Sequence, residues 1–301
     1  MGLKSICHDK PHFFKYYNFD VVKLVLKNKT VKWSSPVIFN DPFDLQIDIN
    51  FDFKMEDMKE ALLEEMTRLV YSEEEPTGDS KKDIFAMILG SRNLRNKVSA
   101  EKFKKLFEPA LNKGARNAQI VLEEGRSMWK NLRKSLRVFC VTEINDDLLM
   151  WAHYSDCHTG AVLKLKCLKD KDRALCAAVP VQYQEDLPSL STKEEFIKNL
   201  TGQIELNTDN FFTVFATTKS IHWEHEKEWR CIGLDSLNNG QLYEYVRILP
   251  QEIESIYLGC KMDVEKQEEI LSMLSGDLNH VQVYKAYKSS KHFKLIFRQI
   301  R

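Results

Sequence analysis

Eight short stretches, residues 137–142, 160–166, 179–183, 228–233, 243–248, 255–259, 281–287 and 293–300, are rich in β-branched and aromatic residues and are bounded by turn formers. Few helices separate them. In the last of them Phe293, Leu295 and Phe297 alternate with Lys294 and Arg298, which predicts one buried sheet face, as in the antiparallel sheets of α+β folds.

Residues 54–135 follow a different period. Met55, Met58, Leu62, Met66 and Leu69 recur at threes and fours, as do Phe103, Leu106, Phe107, Ala110 and Leu111, so amphipathic helices are expected. Pro109 lies inside the second series and predicts that one helix ends near Glu108 and another begins there. Residues 72–80, with Pro76 and Gly78, read as a linker. The expected architecture is one α+β domain over residues 1–301. Its mixed, largely antiparallel sheet core is made by the first 50 residues and residues 136–301, and is interrupted by a helical insertion at 54–135.

A content of 43% hydrophobic and 11% aromatic residues suffices for a substantial core. No apolar run approaches the roughly 18 residues of a membrane helix, and the first 14 residues lack the apolar stretch of a signal peptide, so no membrane association and a cytoplasmic location are expected. The seven cysteines (Cys7, Cys140, Cys157, Cys167, Cys176, Cys231 and Cys260) are scattered without a CxxC pair and read as reduced thiols. With 44 basic and 44 acidic side chains the molecule has no bulk attraction for polyanions. The charge is segregated locally: residues 54–79 hold nine acidic and three basic side chains, and residues 81–134 hold fourteen basic and five acidic ones.

Four clusters mix aromatics with functional polar groups. They are Phe14-Lys15-Tyr16-Tyr17; Trp33-Ser34-Ser35-Pro36 followed by Phe39-Asn40-Asp41-Pro42-Phe43-Asp44; Trp151-Ala152-His153-Tyr154 leading to His158 and Gly160; and Lys219-Ser220-Ile221-His222-Trp223 leading to Glu226-Lys227-Glu228-Trp229-Arg230. If residues 223–231 form a strand, Glu224, Glu226, Glu228 and Arg230 share a face, with like charges about 7 Å apart that require a cation, a proton or a ligand. Arg230 is the candidate cation. This face reads either as a solvated edge with a surface salt bridge or as a carboxylate pair poised to stabilise a developing cation. Asn40-Asp41-Pro42 is a turn anchored by Phe39 and Phe43. Asp146 is the candidate N-cap of a short helix with Leu148, Leu149, Trp151 and Ala152. His153 and Cys157 have i, i+4 spacing, but no second ligand pair follows, so no metal is assigned.

In order and spacing, Lys15-Tyr16, Ser34-Ser35-Pro36, Asn40-Asp41-Pro42-Phe43-Asp44, Trp151-Ala152-His153-Tyr154 and Trp223-x-x-Glu226-x-Glu228-Trp229-Arg230 together resemble the prokaryotic domain-of-unknown-function family 2971. More distantly, the layout is similar to that of ADP-ribosyltransferases. That likeness implies NAD as substrate. Lys15 or Tyr16 would contact ribose or pyrophosphate, Ser34 or Ser35 would brace the nicotinamide ribose, and Tyr154 or Trp151 would stack on nicotinamide. Glu228 would stabilise the oxocarbenium-like state and Glu226 would orient the acceptor, with Asn40, Asp41, His153 and Arg230 around them. The resemblance thus implies an NAD-cleaving or ADP-ribosyl-transferring enzyme of toxin or antiphage-defence type, acting on a protein or nucleic acid, with its acidic ladder facing Lys15 across a dinucleotide-sized hollow. Two other classes compete: a binding module using the basic helices of residues 81–134, and a metal-dependent hydrolase using His153, His158, Glu226 and Glu228.

Overall fold

A computed structural model describes residues 8–48, 51, 53–79, 82–171, 173–205, 211–237 and 239–301. In chain order its elements are β1 (His12–Tyr17), α1 (Phe19–Asn28), β2 (Thr30–Ser34), α2 (Met55–Tyr71), α3 (Asp83–Ser91), α4 (Ala100–Ser135), β3 (Leu136–Thr142), α5 (Leu148–Tyr154), β4 (Ala161–Lys166), β5 (Val179–Pro180), β6 (Gln182–Gln184), α6 (Lys193–Leu200), α7 (Phe211–Thr217), β7 (Thr218–Ser220), β8 (Glu228–Leu234), β9 (Tyr243–Arg247), β10 (Ile253–Leu258), α8 (Val264–Met273), β11 (Gln282–Lys288) and β12 (Leu295–Gln299). None of the helices searched among the described residues is long and apolar enough to cross a membrane.

Ten strands make one sheet in the order β12-β11-β10-β4-β1-β3-β2-β9, with β8 joined to β3 and β5 to β8. Apart from the parallel pair β10/β11, its pairings are antiparallel; β6 and β7 pair separately, in parallel. The fold is therefore α+β with a mixed, largely antiparallel sheet.

Strand β3 is the hub. Its Thr142 lies in register with Phe14 of β1 and with Glu228 of β8, and its Val138 with Ser34 of β2. Because β3 pairs with both, the start of β8 and the middle of β1 lie near one another, far apart though they are in sequence.

Alternation along β1 sends Phe13 and Tyr17 into one core and Phe14 and Tyr16 into another. The first core also takes Val22, Val25 and Leu26 of α1 and Ile270 of α8; the second takes Met150 and Trp151 of α5. Helix α1 starts where the Asn18 side chain accepts a hydrogen bond from the Val21 amide at 2.9 Å. Helix α5 is capped by Asp147, not Asp146, through the Met150 amide at 2.8 Å. The turn after α5 ends at Gly160, where a Cβ would overlap the Tyr17 carbonyl.

By internal contacts the chain divides into two units: Met1–Gln46, Arg133–Asp186 and Thr217–Arg301, which hold the ten-stranded sheet, and Ile47–Leu132 with Leu187–Ala216. The second unit is helical and has its own core of Met58, Leu62, Met66, Leu69, Val70, Ile88, Phe103, Leu111 and Ile197. Ile197 comes from α6, whose Thr192 and Glu195 form a capping box. The segment 187–216 thus packs with the helices predicted over 54–135.

Three local expectations are corrected. Helix α4 runs through Pro109 without a break; Phe103 and Leu111 on either side of it both enter the helical core, and that burial holds the helix despite the lost hydrogen bond. Phe293 lies outside β12 and is 101% exposed, leaving Leu295 as the buried residue of that alternation. The turn before β12 folds on itself: Ser289 Oγ accepts from the Lys291 and His292 amides, and the Ser289 amide donates to the Lys294 carbonyl at 3.0 Å. Phe43, expected to anchor its turn, is exposed.

Candidate functional site

Residues 221–226 do not continue a strand. Ile221–Glu226 is a 3-10 turn, capped by Ser220 Oγ at the His222 amide, and Lys227 then takes a left-handed conformation (φ 47°) before β8 begins at Glu228. The expected four-residue acidic face is therefore shortened: Glu226 and Glu228 converge across the Lys227 reversal, and Glu224 remains in the turn. The Thr142 hydroxyl secures this reversal by donating to the Glu226 carbonyl at 2.5 Å.

The two carboxylates meet around Lys219 of β7. Its ammonium donates to Glu226 Oε2 at 2.5 Å and Glu228 Oε2 at 2.6 Å, and lies 3.6 Å from Asp44 Oδ2. Arg230 completes the lattice from β8, donating through Nε to Glu228 Oε1 at 2.8 Å and through a terminal nitrogen to Asp44 Oδ1 at 2.7 Å. The Tyr154 hydroxyl donates to Glu226 Oε1 at 2.6 Å, and the Tyr183 hydroxyl accepts from the Glu228 amide at 2.8 Å. All five ionisable members are buried, Arg230 completely. Three carboxylates thus face two cations, an excess of one negative charge when all are ionised.

Burial pushes the Glu228 carboxyl up, but Arg230 and Lys219 outweigh it and hold the group well below the usual carboxylate range. Asp44 goes the other way: burial, reinforced by the charge of Glu228, raises it despite Arg230 and Lys219. Burial would lower Lys219, yet Glu228, Asp44 and Glu226 keep it firmly protonated. Burial and the neighbouring Glu226 push the Tyr154 phenol up, so it stays a donor.

This lattice forms one wall of a cavity of about 200 Å³. Of the residues picked from sequence, Lys15, Tyr16, Asn40, Tyr154, Glu226 and Glu228 line it. The Lys15 ammonium stands 5.3 Å from the centre of the Phe139 ring, on the sheet face opposite Glu228, so the expected facing of the acidic ladder and Lys15 across one hollow is not formed. The Tyr16 hydroxyl is occupied by the Ile144 carbonyl at 3.2 Å.

The other predicted residues lie outside the lining. Ser34 ends β2 in the ladder, and Ser35 is fully buried with its hydroxyl on the Arg133 carbonyl at 2.8 Å. Asp41 accepts from Trp223 Nε1 at 2.7 Å, which ties the Asn-Asp-Pro turn to the 3-10 turn. Trp151 is wholly buried, donates to the Asn145 carbonyl at 2.7 Å and cannot stack on a guest. His153 is exposed, and Arg230 acts from behind Glu228. Among the described residues no group of three His, Cys, Asp or Glu is arranged to hold a metal ion, so His153, His158 and the two glutamates do not form the centre that a metal hydrolase requires.

Asp44, Lys219, Cys140 and Thr142 also line the cavity. Asp44 and Lys219 stood inside the motifs, Asp44 in the turn and Lys219 at the head of its cluster, but neither was assigned a role in the site. The Lys219 ammonium, with Arg230, supplies the compensating positive charge that the glutamates require, and Asp44 adds a third carboxylate around these cations. Cys140 is a thiol that burial and Glu228 keep protonated. The hollow is also smaller than the dinucleotide-sized one expected, below the roughly 300–1,000 Å³ of sites that enclose a drug-sized ligand.

Residues 150–231 match the family model described as "Protein of unknown function (DUF2971)". The matched stretch contains Tyr154, Lys219, Glu226, Glu228 and Arg230, whereas Lys15, Asn40 and Asp44 precede it. No curated protein and no solved structure matches the chain.

Proposed function

We propose that this cavity binds the nicotinamide–ribose end of NAD as substrate and cleaves its N-glycosidic bond, passing ADP-ribose to water or to an acceptor. The observation that carries the reading is a buried lattice of three carboxylates and two cations that walls one small cavity, with an excess of one negative charge when all are ionised. A pyridinium glycoside needs an anion beside the ribose, where positive charge grows as the bond breaks. About 200 Å³ accommodates a nucleoside-sized fragment, so the rest of the dinucleotide extends past the lining residues.

In the step itself the C1′–N bond breaks, its electron pair leaves with neutral nicotinamide, and the oxygen of water or an acceptor hydroxyl bonds to C1′ and releases its proton to solvent water. Glu228 serves as a fixed anion for the oxocarbenium-like state, since Arg230 and Lys219 keep it ionised. Glu226, held between Lys219 and the Tyr154 hydroxyl, orients the attacking oxygen. The resemblance drawn from the sequence motifs extends this proposal to an effector role in toxicity or phage defence.

The test is nicotinamide release from NAD by the purified chain, followed by chromatography. Wild type is expected to release nicotinamide, and Tyr154→Phe to lose roughly tenfold or more. Absence of release by the folded wild-type chain, or full activity in Glu226→Gln, overturns the reading.

A further inference from the structure

A second hollow, of about 490 Å³, lies in the sheet-bearing unit and shares no lining residue with the cavity above. It is lined by Lys261, Lys288, Lys291, Lys294, His158 and His292, and no carboxylate lines it. None of the four lysines has an ion-pair partner among the described residues. In a chain with as many acidic as basic side chains, four unpaired ammonium groups around one concavity form a local field that the whole-molecule charge does not reveal.

The walls are preformed. Asp156, Cys157 and His158 are three successive residues with positive φ (46°, 51° and 70°), and the His158 ring lies flat against Trp151 at 6.1 Å. Gly259 lets this turn approach, because a Cβ there would overlap the His158 carbonyl, and the Lys261 amide donates to that same carbonyl at 3.0 Å. On the opposite side, the turn between β11 and β12 is fixed by the Ser289 hydrogen bonds and holds Lys291 and Lys294 on either side of His292 and Phe293. Phe293 is 101% exposed, so it contributes nothing to the core, yet it stands on the rim of a basic hollow.

We propose that this hollow binds single-stranded nucleic acid, with phosphates on the lysines and a base stacked on Phe293. A basic track beside an exposed aromatic is the arrangement by which proteins hold single strands without reading their sequence. A duplex keeps its bases stacked on each other and has no use for Phe293. A membrane-binding loop needs a broader apolar face than one ring flanked by His292 and Lys294.

The proposal is tested with the full chain and a fluorescein-labelled twelve-residue oligothymidylate, by fluorescence anisotropy across a salt series. Binding is expected to weaken with salt, with a log–log slope of roughly −2 to −3 if three or four phosphates are neutralised. Phe293→Ala should weaken binding about tenfold at unchanged slope, and the double variant Lys291→Glu, Lys294→Glu should weaken it more and flatten the slope. All three side chains are exposed, and unchanged thermal melting shows that the fold is kept. No binding at low salt, binding indifferent to both variants, or stronger binding to anionic phospholipid vesicles that depends on Phe293 overturns it. Nicotinamide release by the same variants separates this proposal from that for the first cavity, since neither touches its lining.

Discussion

Glu228 and Asp44 share Arg230, yet their places in the lattice are not equivalent. Glu228 accepts from Lys219 and Arg230 and is held ionised, while Asp44 accepts from Arg230 and is the carboxylate that burial pushes up. Removing the charge of Glu228 takes from Lys219 and Arg230 the one carboxylate to which both donate in a buried site, which costs about 3–5 kcal/mol. Glu228→Gln is therefore expected to lose most of that in urea unfolding, and Asp44→Asn clearly less. Acid titration follows with opposite signs. A carboxyl depressed in the folded state contributes stability above its unfolded value, lost as pH falls through the folded one; a raised carboxyl regains stability as pH falls through its folded value. Wild type should thus lose stability below about pH 4.5, the ordinary range of glutamate, with Asp44 opposing the fall. Asp44→Asn should steepen that loss, as read from urea midpoints between pH 3 and 6; a shallower curve in the variant would contradict the assigned directions. For the same reason nicotinamide release is better probed at Tyr154 or Glu226 than at Glu228.

At the scale of elements, patterns local in sequence were legible and long-range ones were not. The strands of the second half lie close to where alternation and turn residues predicted them, because β3, β4, β8, β10 and β11 each bury at least one face and hold the period of two there. The error at residues 221–226 has a local cause: Glu and Trp alternate there as in a strand, but Ser220 caps a 3-10 turn and Lys227 reverses the chain. Phe293 failed because an apolar residue in period was assumed to be buried. Six predicted residues line the cavity since their motifs lie on β1, the turn after β2, α5 and β8, but which motif residues point inward depends on pairing with β3, and no motif encodes that. Pro109 gives the prediction that belongs here. An interior proline removes one helical hydrogen bond and crowds the preceding turn, and Pro109 is exposed, so little packing compensates locally. Pro109→Ala should raise stability by up to about 3 kcal/mol, seen as a higher urea midpoint in circular dichroism at the helical band. An unchanged or lower midpoint would mean that the proline ring holds something the helix needs.

At the scale of the whole molecule, the chain leaves the sheet-bearing unit after Gln46, returns at Arg133, leaves again after Asp186 and returns at Thr217. The insertion expected at 54–135 overlaps the first excursion, and the second, over 187–216, leaves little trace in the sequence because α6 is short and its periodic signal weak. The cores of the two units have no residue in common. Hydrophobic burial is the dominant stabilising term, and it is gained within each core separately, so the units should behave as distinct cooperative blocks in hydrogen exchange. Met66, wholly buried in the helical core, is the place to test this. Met66→Ala should cost about 2–5 kcal/mol, lowering amide protection in α2, α3 and α6 while leaving β3 and β8 at their wild-type protection. A parallel fall in both sets would mean that the sheet draws its stability from the helices, and that the Lys219 lattice, whose Glu228 and Arg230 stand on β8 against β3, cannot persist once these strands unfold.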